Sequence, residues 1–210
     1  MKEIHPIIMT ENYLKSATDN LENYFQKTCR FFPSWIMPDH LTFARIVSSF
    51  PIAFFILNKR PTTAFWFFIF GALLDFWDGK LARFRKQVTE VGKITDPIAD
   101  KLLILFPLVI IFVSRGYSFL SPLLFWLMMV LESALLLMGG KAMMTQTGIK
   151  RRLGANLWGK WKFFLQTVGI SLLLLEQPFW AQAVLWPSVV LAIASIIGHL
   201  TFKAPKPEIN

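Results

Sequence analysis

DFWDGKLAR at residues 75–83 and, after eight further residues, GKITDPIAD at residues 92–100 are polar runs that long apolar stretches enclose on both sides. Together the two runs contain four aspartates: Asp75, Asp78, Asp96 and Asp100. A charged side chain in or near lipid is costly, so acids in such a setting indicate a functional site. Four acids this close along the chain are best explained if they hold a cation.

The composition is typical of a membrane protein. Of the 210 residues, 54% are hydrophobic and 15% are aromatic, and the mean hydropathy is +0.48. A soluble domain is usually about 45–50% apolar. The net charge of +9 fits basic cytoplasmic loops better than nucleic-acid binding when the apolar runs are this long. We therefore expect a membrane lipid environment and no nucleic-acid partner.

Six apolar segments predict an all-α, polytopic membrane protein with six transmembrane helices. The segments are residues 41–57, 62–74, 98–113, 119–138, 163–175 and 179–198. Residues 1–37 mix charges with aromatic side chains, which predicts an N-terminal interfacial amphipathic helix, with a merely solvated helix as the alternative. The predicted divisions are an N-terminal segment (1–37), a membrane domain (38–202) and a cytoplasmic tail (203–210).

Several of these segments are shorter than the roughly 20 residues that cross a bilayer. A helix starting near Pro61 has to continue to about position 81 to span about 30 Å. The next helix is predicted to begin at residues 95–97, because proline is favoured at the first helical position and Thr95 or Asp96 can cap it. Both acidic pairs then lie at similar depth, just inside one membrane face.

The distribution of Lys and Arg decides which face this is. In a six-crossing topology, one side receives only Lys59, Arg60 and Arg115 in its loops, and nearly all other basic residues fall on the opposite side. The positive-inside rule then places both termini and the acids in the cytoplasm. We expect an integral protein of a prokaryotic inner (cytoplasmic) membrane.

The spacing of the acids favours a metal site. Asp75 and Asp78 are spaced i, i+3, and Asp96 and Asp100 are spaced i, i+4, so each pair shares a helix face. If Gly92 helps to turn the connecting loop, antiparallel packing brings four repelling carboxylates together, which cations would neutralise. Oxygen ligands suit Mg²⁺, Mn²⁺ or Ca²⁺. The alternative is a set of interfacial charges that pair with nearby basic side chains, namely Lys80, Arg83, Lys93 and Lys101.

Small and basic residues follow the first acidic pair. Gly79 and Ala82 allow a neighbouring helix or a flat ligand to approach closely, and Arg83 offers a fixed cation for phosphate oxygens. Acids, metal, small residues and arginine together predict a site for a metal-bound diphosphate.

These residues resemble the signature of the CDP-alcohol phosphatidyltransferase family, D-x2-D-G-x2-A-R-x8-G-x3-D-x3-D, and every signature position is present. The resemblance implies six transmembrane helices, a homodimer, and transfer of a substituted phosphate from a CDP-linked donor to an alcohol with release of CMP. It implies a two-metal site of Mg²⁺ or Mn²⁺ held by the four aspartates, with Asp100 also acting as general base. It further implies a CDP pocket lined by Asp75, Gly79, Ala82 and Arg83.

Three further runs resemble the phosphatidylglycerophosphate synthases within that family. They are DPIADKLL at 96–103, PDHLTFAR at 38–45 and the run from Gly159 to Gln166. The resemblance implies CDP-diacylglycerol as donor and glycerol 3-phosphate as acceptor. The chain departs from the pattern at Asp39, where asparagine is usual, at Phe163, where threonine is usual, and at Leu131, where an arginine is expected beside Glu132.

A phosphorylated acceptor needs cations. Arg45, inside an apolar helix, and basic residues between segments four and five are the predicted acceptor-binding residues: Arg45, Lys150, Arg151, Arg152, Lys160 and Lys162. For the residues outside the helix, the alternative is that they bind no acceptor and only reflect the excess of Lys and Arg in cytoplasmic loops. The acceptor itself stays open between glycerol 3-phosphate, inositol phosphate and serine.

Two other functions explain part of the pattern. An intramembrane prenyltransferase also binds diphosphate through Mg²⁺, but such enzymes place their acidic motifs in separate halves of a longer chain. A cation transporter or channel explains the carboxylates but not Gly79, Ala82 and Arg83.

Overall fold

A computed structural model describes residues 37–85, 90–144 and 153–201. All secondary structure in these ranges is helical, which confirms the all-α prediction. The helices are α1 (Pro38–Leu57), α2 (Pro61–Arg85), α3 (Glu90–Arg115), α4 (Pro122–Met144), α5 (Leu153–Leu174) and α6 (Pro178–Thr201). The predicted N-terminal helix and the C-terminal tail lie outside the described residues.

Local sequence explains where most helices begin and end. Four of the six begin at a proline, whose fixed φ and missing N–H suit the first helical position. In α1 the His40 side chain also accepts a hydrogen bond from the Met37 N–H at 3.3 Å. The chain turns sharply after α1 and after α5. Lys59, with φ of 57°, and Glu176, with φ of 61°, adopt the left-handed conformation that is common after helix ends.

The helices are long enough to cross a bilayer. At 1.5 Å per residue, helices of 20–26 residues are about 30–39 Å long. Within the described residues, three stretches are also apolar enough to cross a membrane: Asp39–Leu57, Thr95–Arg115 and Pro178–Gly198. Many large apolar side chains are exposed along the helices, including Phe43, Phe50, Trp66 and Val113, as expected for surfaces that face lipid.

The predicted length of α2 is confirmed, whereas the predicted start of α3 is wrong. Helix α2 continues past position 81 to Arg85, which keeps Asp75 and Asp78 within it. Helix α3 begins at Glu90 instead of at residues 95–97, so Gly92 lies inside its first turn and Pro97 lies in its interior. Proline removes one backbone hydrogen bond and usually ends a helix, but a packed bundle can accommodate the lost bond. The proline was therefore an unreliable marker of the boundary.

Helix α1 organises the half of the bundle that contains the acids. It packs closely against both α2 and α3, which touch each other much less. Close approach occurs at Gly71 of α2, where an added Cβ would lie 2.7 Å from a methyl carbon of Leu103 and 3.0 Å from the Ser48 hydroxyl. The predicted packing of α2 on α3 is present at this point, but it is less extensive than the packing of α1 on either helix.

The other half of the bundle is built on α5 and α6. Their close contact passes through Gly169, where an added Cβ would lie 2.4 Å from a Leu185 methyl carbon. A single apolar core connects the two halves and includes Leu103, Leu124 and Ile170. This arrangement places the polar faces of α1, α2 and α3 beside those of α4 and α5.

Candidate functional site

Arg45 is the centre of the acidic site. Its side chain is fully buried on α1, and its guanidinium contacts carboxylates from two other helices. Nη1 donates to Asp75 and, at 2.5 Å, to Asp100, while Nη2 donates to Asp78 at 3.0 Å. A guanidinium, with five N–H donors in a fixed plane, is well suited to contact several carboxylates at once. Arg45 therefore links α1 to α2 and α3 through charge.

Thr42, one turn before Arg45, brings in the fourth acid. Its hydroxyl lies 2.9 Å from Oδ1 of Asp96 and 3.4 Å from Oδ2 of Asp78. All four aspartates of the two polar runs thus contact one pair of side chains on α1. The predicted convergence of the acids is present, and side chains of α1 hold it together.

The four acids differ in their access to solvent. The Asp78 side chain is 8% exposed, that of Asp75 is 25% exposed and that of Asp100 is 40% exposed. Asp96 is also exposed. The cluster therefore has a closed side at Asp78 and an open side at Asp96 and Asp100, where a ligand can enter.

The donor set fits a hard divalent cation. Four ionised carboxylates beside one guanidinium have a formal charge of −3. Oxygen ligands and excess negative charge are what Mg²⁺ and Mn²⁺ require. In the described ranges, no three Asp, Glu, His or Cys side chains are already arranged around a common metal position. The Arg45 guanidinium lies among the carboxylates and supplies the positive charge there.

Gly79 leaves open space beside the acids. A Cβ added at this position would meet no described atom within 4 Å. Among the described residues, no neighbouring helix packs against this position. The side chains of Ala82 and Arg83 lie outside the described part of the structure, although both positions belong to α2.

A second polar cluster surrounds Glu132 of α4. The carboxylate is 1% exposed and accepts hydrogen bonds from Lys101 of α3, from Lys162 of α5 at 2.9 Å, and from Gln166 of α5 at 2.7 Å. Sequence analysis noted Glu132 only for the arginine missing beside it. The signal was nevertheless available, because an acid in the middle of an apolar helix is costly unless it has partners.

The predicted acceptor-binding residues fall into three groups. Lys162 is buried in the Glu132 cluster, Lys160 is exposed, and Arg45 contacts the aspartates. The remaining three, Lys150, Arg151 and Arg152, lie outside the described residues. The structure therefore brings Arg45 and Lys162 into buried polar clusters but not into the same one.

Comparison with known proteins identifies the family. The sequence model of the CDP-alcohol phosphatidyltransferase family matches residues 35–194, which is most of the chain and includes both polar runs. The chain belongs to this family. Membership confirms the resemblance and, with it, the predicted class of enzyme.

Three bacterial relatives within the phosphatidyltransferase family have the name CDP-diacylglycerol–glycerol-3-phosphate 3-phosphatidyltransferase. The relative from Cereibacter sphaeroides is 35% identical over 153 residues, covering 68% of this chain and 64% of its own length, a little under two thirds. Those from Haemophilus influenzae and Rickettsia felis are 28% and 31% identical, covering 78% and 81% of this chain and 91% and 95% of their own lengths. No solved structure matches the chain.

Proposed function

We propose that this protein transfers a phosphatidyl group from CDP-diacylglycerol to glycerol 3-phosphate and releases CMP. The observation that carries the proposal is the convergence of the four signature aspartates on Arg45 and Thr42. A transferase of this class needs a concentrated negative site for the cations that accompany a diphosphate. The names of the relatives supply the donor and acceptor.

Asp75, Asp78, Asp96 and Asp100 are the proposed ligands of two Mg²⁺ or Mn²⁺ ions. Such ions, when bound, neutralise the donor diphosphate and stabilise charge on the departing CMP. The contacts of three of these carboxylates with the Arg45 guanidinium support this role, because they show a site that attracts positive charge. Asp75 has a second proposed role in the CDP pocket.

Asp100 is the proposed general base. It is the most open of the three acids that contact Arg45, so a substrate hydroxyl can reach it. The acceptor hydroxyl gives its proton to Asp100 as its oxygen bonds to the phosphatidyl phosphorus. The bond from that phosphorus to the CMP oxygen breaks, and CMP leaves with the electron pair.

The donor pocket is proposed at Gly79, with Ala82 and Arg83 one turn further along α2. Space at Gly79 supports this assignment, since a base or ribose can approach the helix backbone only where side chains are small.

Gly79→Leu is expected to impair donor binding without harming the fold. A larger side chain would extend into space that no described atom occupies. We expect the KM for CDP-diacylglycerol to rise by about tenfold or more, with little change in Tm. Steady-state kinetics and thermal unfolding in detergent measure the two effects. Gly198→Leu on α6 is the matched control, because its added Cβ also meets open space. Unchanged donor KM in Gly79→Leu would contradict the assignment.

The acceptor site is proposed around the basic residues. Lys162 has the best-supported position, since it is buried beside a second lysine and close to the chain segment that carries Asp100. Arg45, Lys150, Arg151, Arg152 and Lys160 remain predicted contributors.

The membrane arrangement is proposed from charge and length. All six helices cross the bilayer, the N-terminal segment lies along the interface, and the aspartates and both termini face the cytoplasm of a prokaryotic inner membrane. A homodimer is proposed from the family resemblance.

An acceptor panel tests the proposed reaction. Purified protein with radiolabelled CDP-diacylglycerol is offered glycerol 3-phosphate, inositol phosphate or serine in turn, and the lipid product is identified. We expect phosphatidylglycerophosphate as the main product. A product formed only with inositol phosphate or serine would retain the family but overturn the proposed acceptor.

A further inference from the structure

Glu132 is the meeting point of three helices. Both of its carboxylate oxygens are used: Oε2 accepts from Lys101 and from Lys162 at 2.9 Å, and Oε1 accepts from Gln166 at 2.7 Å. Gln166 and Lys162 are nine-tenths or more buried, as is Glu132 itself. The two ammonium groups are therefore held on one carboxylate inside the bundle.

The charge of this cluster is unbalanced. Two lysines and one glutamate have a formal charge of +1, and Gln166 is neutral. Each ammonium group has three N–H donors, and charged donors of this kind favour an anion as their partner. The cluster lies beside the catalytic region, since Lys101 follows Asp100 in the chain and Asp100 interacts electrostatically with both lysines.

We propose that Glu132 is a positioning residue that holds Lys101 and Lys162 as a receptor for the phosphate of the acceptor. This inference rests on the proposed function and adds Lys101 and Glu132 to it. A free lysine side chain samples many rotamers, and its rotamer entropy is about 2 kcal/mol. Anchoring both on one carboxylate orders them before the acceptor arrives, which lowers the entropic cost of binding.

A phosphate bound here is held by charge-assisted hydrogen bonds from two ammonium groups that Glu132 has already oriented. The missing arginine beside Glu132 fits this interpretation, because Lys101 and Lys162 provide two cations at the same level of the bundle.

A purely structural role is the alternative, since Glu132 joins α3, α4 and α5. The two roles predict different kinetics. A structural defect lowers stability and affects donor and acceptor alike, whereas loss of a positioned phosphate receptor affects the phosphorylated acceptor selectively.

Glu132→Gln in the full-length protein distinguishes them. The variant keeps the shape and one acceptor oxygen but removes the negative charge. We expect the KM for glycerol 3-phosphate to rise by about tenfold or more, with the KM for CDP-diacylglycerol changed less than about twofold. Glu132→Asp, which retains the charge at a shorter reach, is expected to give an intermediate acceptor KM. Glu176→Gln is the matched control, because Glu176 pairs with Arg115 at 2.7 Å in an exposed position.

A charge-matched double variant tests positioning itself. Glu132→Gln combined with Lys101→Gln leaves Lys162 alone and restores the formal charge of +1. If net charge were sufficient, this variant would bind the acceptor as well as the wild type. We expect it to be as thermally stable as the wild type, or nearly so, and to keep the weakened acceptor binding.

Binding of glycerol 3-phosphate or inorganic phosphate, measured by the shift in Tm, separates this proposal from the proposed function. Wild-type protein is expected to be stabilised by either anion even without donor, and the shift is expected to shrink in Glu132→Gln and in the double variant. If the wild type binds these anions but never consumes CDP-diacylglycerol, the proposed function fails and the receptor stands. Equal rises in both KM values, or a phosphate-induced shift that the variants leave unchanged, would overturn the receptor.

Discussion

Asp100→Asn is expected to abolish turnover while CDP-diacylglycerol still binds. The amide keeps the size of the side chain but cannot take a proton from the acceptor hydroxyl. General-base catalysis contributes about 10²–10⁴-fold, so we expect kcat to fall by at least that factor. The remaining three acids, and their contacts with Arg45 and Thr42, keep the donor site largely in place.

Rates and donor binding are measured separately for this variant, by CMP release and by equilibrium binding of labelled donor. Asp39→Asn is the matched control, because it makes the same change on α1 and introduces the residue usual in the resembling run. A near-normal kcat in Asp100→Asn would contradict the assignment of the base. Loss of donor binding with loss of turnover would instead indicate that Asp100 acts mainly as a ligand.

Arg45→Met is expected to make the stability of the protein depend on divalent cations. Removing the guanidinium leaves Asp75, Asp78 and Asp100 without their shared positive partner, and breaking a buried ion pair costs about 3–5 kcal/mol. We therefore expect a strongly lowered Tm in EDTA. Mg²⁺ or Mn²⁺ should restore much of the loss, since saturation to about 100 times Kd stabilises by about 2.7 kcal/mol.

Thermal unfolding in detergent, with EDTA and with a series of Mn²⁺ concentrations, measures this dependence. The wild type should show a smaller cation-induced rise in Tm than Arg45→Met, because its guanidinium already neutralises the carboxylates. Arg115→Gln is the control, since it removes an arginine from an exposed pair, which contributes at most about 1 kcal/mol. A variant as stable as the wild type in EDTA would show that Arg45 does not stabilise the acidic cluster.

Sequence reasoning succeeded where a local physical rule was decisive. The thickness of a bilayer required α2 to continue beyond its apolar segment, and α2 does continue to Arg85. The i, i+3 and i, i+4 spacings placed each acidic pair on one face, and the structure brings both pairs to the same place.

It failed where the outcome depended on tertiary contacts. Pro97 is compatible with a helix start, but in the bundle it lies inside α3. Arg45 was predicted to bind the acceptor, but its guanidinium contacts three of the aspartates. Which charged groups it meets depends on how α1 packs, and no local pattern specifies that. Glu132 was passed over because its partners Lys101 and Lys162 are distant in sequence and meet only when three helices are assembled.

Release of CMP from CDP-diacylglycerol by the purified protein tests the central claim most directly. The reaction is followed with and without glycerol 3-phosphate, in EDTA, in Mg²⁺ and in Mn²⁺. We predict CMP release only when a divalent cation and the acceptor are both present, and its loss when Asp78 is replaced by Asn. Ion flux through reconstituted protein with no CMP release under any of these conditions would contradict the account.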